Sequence, residues 1–236
     1  GENPVAIIRI PRERMVGSGI ASSLVHEVGH QAAALLELVN SLRPVLEARG
    51  NLAGGGRAPW VCWERWISEI VADFWAIARL GITATTGLMA VVSLPRAFVF
   101  RITLDDPHPF PWIRVRLGCA LGQALHPDPQ WDRLAALWES LYPRAGLDAS
   151  RQQFLAALED TLPDFAQLLV HHRPASLRGR SLGEVLDPAG RAPARLRAAW
   201  AAWRKAPDAV KSVSPTLAFA VIGQARADGA ISPGEE

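Results

Sequence analysis

Between Trp60 and Leu80 the apolar residues Trp63, Ile67, Ile70, Val71, Phe74 and Ile77 recur at helical spacing, and Gly81 follows as a stop signal. This pattern predicts a helix with a dense apolar face packed into a core. The same helix carries Glu69 and Asp73, four residues apart and therefore on one face. Carboxylates are rarely buried without partners. A metal site would explain why two of them sit on a helix of this kind.

A second helical pattern runs from about Ala21 to Arg49. Leu24, Val28, Leu35, Leu38, Val39, Leu42 and Leu46 supply its apolar side, and Pro44 is expected to kink or divide it. Residues 50–59 read as a loop. Further helices are predicted over 112–125, 130–142, 149–172, 190–205 and 207–228, with Pro and Gly breaks between them. Residues 4–14 read as a short strand and 97–104 as another, because both carry β-branched or aromatic runs. The stretch 105-DDPHPFP-111 reads as a turn, since each residue before a proline is pushed away from helix.

Composition narrows the function classes. The chain has 236 residues, enough for one large domain or two small ones. A hydrophobic content of 49% and a net charge of +2 describe a globular protein with no strong electrostatic partner. The basic segment 173-RPASLRGR-180 lacks interleaved aromatics and reads as a solvated loop, so no nucleic-acid partner is expected. The most apolar stretch, 80–100, is interrupted by Thr, Gly and Pro95-Arg96; it predicts a buried helix and a strand, and membrane association is not expected. Cys62 and Cys119 are too few for a disulfide framework or a cysteine-based metal site, which suits a reducing, cytoplasmic setting. The opening Gly1-Glu2-Asn3-Pro4 has no signal-peptide pattern, and a longer parent chain with a partner protein or further domain is one expectation. Trp60, Trp63 and Trp66, at three-residue spacing, read as core packing or as contacts with the second half of the chain.

The chemistry concentrates in 25-VHEVGHQ-31. On a helix, His26 and His30 lie one turn apart on one face, where two imidazoles can grip one metal ion. Glu27 sits beside the pair, where it can reach a water on the metal and act as a general base. Gly29 leaves room for a close neighbour. A third protein ligand is needed, and Glu69 on the Trp60–Leu80 helix can provide it. Asp73, one turn on, can accept the free N–H of a ligating histidine and fix its orientation.

Three elements in order, 26-HEVGH-30, 69-EIVAD-73 and 108-HPFPWIR-114, resemble the gluzincin metallopeptidases. They are most similar to the soluble minimal relatives of the prenyl-protein and heat-shock membrane endopeptidases. The resemblance spans about residues 5–118. It implies a Zn2+ ion bound by His26, His30 and Glu69, with Glu27 activating water and Asp73 anchoring a ligand. His108 and Arg114 join Glu27 as candidate catalytic residues, either holding the site together or helping to bind substrate. The implied fold is mainly α in an α+β frame: a zincin-like core over 1–127 with a small edge β-sheet that pairs with an extended peptide. Residues 128–236 form an additional helical region packed on that core. The implied function is a zinc-dependent endopeptidase acting on a peptide or protein substrate. A catalytically silent, regulatory module that binds a protein or peptide partner is the alternative.

Overall fold

A computed structural model describes residues 7–8, 17–103, 105–186, 188–232 and 234. Among them the chain is mostly helical. The helices are α1 (Ser18–Leu35), α2 (Leu38–Leu52), α3 (Arg57–Leu80), α4 (Ile82–Val92), α5 (Arg96–Val99) and α6 (Pro111–Leu125). They are followed by α7 (Gln130–Leu141), α8 (Ala149–His171), α9 (Leu182–Leu186), α10 (Pro193–Trp203) and α11 (Pro215–Ala227).

The α3 helix is the centre of the molecule. α1, α2, α4 and α6 pack around it, and α8 and α11 reach it from the second half of the chain. Its apolar stripe broadens toward the C-terminal end until Ile70, Val71, Phe74, Ile77 and Ala78 are all covered. The helix stops where Gly81 takes φ 61°, a conformation that suits a residue without Cβ.

Aromatic residues tie the two halves together. Trp63 stacks on Phe165 of α8 at 5.1 Å and donates its indole N–H to Thr161 Oγ1 at 2.8 Å. Trp66 meets Phe110 edge-on. Burying a large apolar side chain contributes about 1.5–3 kcal/mol, so these contacts are a major part of the core. One apolar cluster runs from Val25 on α1 to Leu186 on α9, and a smaller one joins α10 to α11 through Leu196, Trp203 and Val221.

Two sequence expectations are corrected. First, the expected edge β-sheet is not seen, because no strand occurs among the described residues. Of the strand expected over 4–14, only Ile7 and Ile8 are described, without regular structure; the rest lies outside the described residues. The run 97–104 is not a strand either: Arg96–Val99 forms the single turn α5, and 101–103 are irregular. Pro95 fixes the entry to that turn, and Phe100 folds inward to stack on Trp112 at 5.8 Å. With no neighbouring strand among the described residues, extended backbone there would have no described ladder partner. Second, the helix expected over 21–49 is divided at Leu36–Glu37 rather than at Pro44, with Glu37 in the left-handed region at φ 52°.

The apolar stretch 80–100 ends up as α4 and α5. Among the described residues no helix is long and apolar enough to cross a membrane. α4 crosses α1 where Gly87 touches the Gly19 backbone, an approach that any larger residue at 87 would block.

Candidate metal centre

His26, Glu27 and His30 sit in the middle of α1, and Glu69 and Asp73 face them from α3. The two helices meet at Gly29. A Cβ there would fall 2.9 Å from Ala72 Cα and 3.0 Å from the Ala72 carbonyl oxygen. Glycine between the histidines is thus what lets α1 lie directly on the α3 backbone.

The contact brings three donors together. His26 Nε2 and His30 Nε2 are 3.2 Å apart, with their rings nearly perpendicular at 88°. Glu69 reaches His26 Nε2 through Oε2 and His30 Nε2 through Oε1, both at 3.3 Å. A tetrahedral ion with arms of about 2.0–2.1 Å subtends edges of about 3.3–3.4 Å between its ligands. The two imidazole nitrogens are close to that spacing, each Glu69 oxygen faces a different histidine, and one donor atom of each residue lies within 4.8 Å of the others, so these three side chains could hold one metal ion.

The surroundings favour a positive charge in the middle. His26 Nδ1 lies 2.8 Å from Asp73 Oδ1, close but off the line of the N–H. Burial by itself would lower the His26 pKa, but Asp73 and Glu69 outweigh it and raise the group to about 9. Burial would push Glu69 up, yet the two histidines and Arg114 hold its carboxyl far below the usual carboxylate range. Asp73 is held low against its burial by Arg114 and His26.

Arg114, in the first turn of α6, is the buttress. Its Nε donates to Asp73 Oδ2 at 2.7 Å and its Nη2 to Asp73 Oδ1 at 2.9 Å. Nη2 also reaches Glu69 Oε2 at 3.4 Å. A two-bond fork of this kind fixes a carboxylate in orientation as well as charge. Pro111 opens α6 with φ already set for helix, which places Arg114 one turn in.

His108 enters from the turn before α6. Its Nε2 is 3.1 Å from Glu69 Oε2, on the open side of the cluster, and its side chain is 47% exposed. Asp106 holds it there, accepting from the His108 backbone N–H at 2.9 Å and lying 2.7 Å from its Nδ1. Asp106 was not among the residues singled out from the sequence. The available signal was an Asp two residues before a histidine in a proline-rich turn, where such side chains bond to nearby backbone.

All seven candidate residues therefore come to one place, at differing depths. Glu69 and Asp73 are buried beneath, Arg114, His26 and His30 are partly buried, and Glu27 and His108 stand at the exposed edge. A cavity of about 230 Å³ opens beside them, walled by His26, Glu27, Asp73, His108 and Arg114 on one side and by α4 on the other; His30 and Glu69 do not line it. A second cavity of about 390 Å³ shares His108, Arg114 and Val92 and continues past Phe98 and Phe110. Trp60, Trp63 and Trp66 belong to the core and do not line the first cavity.

The remaining histidines lie elsewhere. His126 closes the end of α6 and is buried, and His172 closes α8 beside Ser41 Oγ. Compared with family models, with curated proteins and with solved structures, the chain matches none of them.

Proposed function

We propose that the protein is a zinc-dependent endopeptidase. The observation that carries the reading is the convergence of His26, His30 and Glu69, one donor atom of each lying within 4.8 Å of the others, with His26 also on the wall of a cavity. Two imidazole nitrogens and one carboxylate, with a fourth position free, are a donor set that suits catalytic zinc. When bound, zinc would polarise a carbonyl oxygen and lower the pKa of a water molecule.

The side chains then divide the work. Glu27, at the edge of the cavity and without an ion pair among the described residues, takes the proton of the attacking water on its carboxylate and passes it to the leaving amine nitrogen. His108, held by Asp106 with Nε2 toward the cluster, donates to the oxygen that gains charge as the carbonyl is attacked. Arg114 is a positioning residue: its guanidinium bonds to Asp73 and Glu69 at the wall of the cavity. Asp73 in turn orients the His26 ring. The reading carries a reducing, cytoplasmic setting, supported by two buried cysteines without a disulfide.

Peptide cleavage by the zinc-loaded chain, measured beside Glu27→Gln, tests this. Glu27→Gln is expected to keep zinc and lose cleavage. Undiminished cleavage by that variant would overturn the mechanism.

A further inference from the structure

Ala84, Leu88, Val91 and Val92 all line the cavity over the metal cluster. They fall at positions i, i+4, i+7 and i+8 of α4, which is one continuous helix face. The opposite wall brings Ala76 and Ile77 from α3, three and four residues past Asp73. Every ionisable group of the cavity belongs to the other side, on α1, at Asp73, or at His108 and Arg114. One end of the cavity is thus charged, and the other is apolar except for the Thr85 hydroxyl between Ala84 and Leu88.

Two features show that this apolar end has space and a continuation. Ala76 and Ala84 are small and buried, so the room beside them is not filled by their own side chains. Past Val91 the apolar edge runs on through Leu94 and Phe98, which are 42% and 51% exposed and line the adjoining cavity. Apolar side chains left uncovered in a row beside a reactive centre mark a binding surface.

We propose that this face of α4 selects the substrate, receiving an aliphatic or aromatic side chain of an extended polypeptide next to the bond that is cut. Leu88 sets the width of the pocket and Ala84 its depth. The inference rests on the endopeptidase reading for the word "cut" and on the α4 stripe for the selectivity. In an apolar pocket each methylene changes discrimination by roughly tenfold or more. The α4 end disfavours acidic and basic side chains because it offers them no charged partner, only the Thr85 hydroxyl.

The test uses the full zinc-loaded chain and a tryptic digest of a whole proteome as the peptide mixture, with cut sites read by mass spectrometry. Wild type is expected to show one position beside the cut enriched at least about tenfold in Leu, Ile, Met or Phe over Asp, Glu and Lys. Ala84→Leu should move that enrichment toward Ala and Gly, and Leu88→Ala toward the larger aromatics. Cutting without enrichment, or enrichment unchanged in both variants, overturns the α4 assignment and leaves the peptidase reading standing. A second arm measures binding of labelled peptides, with Leu or Asp at the central position, to Glu27→Gln. A preference for Leu of about tenfold that falls in Ala84→Leu, without any cutting by wild type, would retain the recognition surface and overturn the peptidase reading. Equal binding of the Leu and Asp peptides counts against the surface itself.

Discussion

Arg114 grips Asp73 with two hydrogen bonds, at 2.7 and 2.9 Å, in a place where both side chains are almost fully covered. The pair is the foundation of the cluster, since Asp73 touches His26 on its other side. Removing one partner of a buried pair leaves an uncompensated charge and costs about 3–5 kcal/mol. Arg114→Ala is therefore expected to lose stability on that scale in urea unfolding. Arg114→Lys keeps the charge and loses the fork, so zinc affinity should fall roughly 10- to 100-fold in a chelator competition while the fold survives.

Gly29 carries a second expectation. Any Cβ there meets the α3 backbone at Ala72, which cannot swing aside as a side chain can. Gly29→Ala should cost about 1–3 kcal/mol, as overpacked sites do, and should weaken zinc binding by moving α1 away from Glu69. Gly190→Ala is the control, because nothing lies within 4 Å of its added methyl. Equal stability of the two variants would contradict this view of the α1–α3 contact.

On the proposed reading, the placement of His108 separates catalysis from metal binding. It is at the exposed edge, and Arg114 and the three candidate ligands do not depend on it for their contacts with one another. His108→Ala should hold zinc at the wild-type stoichiometry and lower kcat about 100-fold, the usual scale for loss of one oxyanion donor. Asp106→Ala should lower kcat less, because it frees the ring without removing it. A zinc content that falls with His108→Ala would assign the residue to the metal instead.

His126 sets a pH dependence of its own, outside the cluster. Burial lowers its pKa to about 4, below the ordinary 6.5. Between those values the unfolded chain binds a proton that the folded chain does not, so stability falls as pH drops from 6.5 toward 4. The shift corresponds to a loss of about 3 kcal/mol. His172 is lowered by burial as well and adds in the same direction. Urea midpoints across this window should decline in wild type and decline less in His126→Gln.

How much of this is legible in the sequence depends on how local each feature is. The helix expected at Trp60–Leu80 is observed at Arg57–Leu80, because its periodicity and Gly81 are signals carried by the segment itself. The facing of His26 with His30, and of Glu69 with Asp73, follows from four-residue spacing on a helix and needs no tertiary knowledge. Gly29 as a place for a close neighbour is similarly local, and Ala72 proves to be that neighbour. The break at Glu37 is not legible, since a glutamate at φ 52° is held by its surroundings and not by its own preference. The run Phe98–Phe100 has the residues of a strand, and only the inward turn of Phe100 onto Trp112 decides against one. Which face of α4 looks into the cavity is likewise decided by the Gly19–Gly87 crossing, two residues that no periodicity singles out.

The central claim is that His26, His30 and Glu69 hold one zinc ion, and metal content measures it most directly. Purified wild type and His26→Ala, each dialysed against zinc and then against metal-free buffer, would be compared by elemental mass spectrometry with protein concentration in parallel. One zinc per chain in wild type, and little or none in His26→Ala, is the expected result. Wild type that holds no zinc, or His26→Ala that holds as much as wild type, would contradict it.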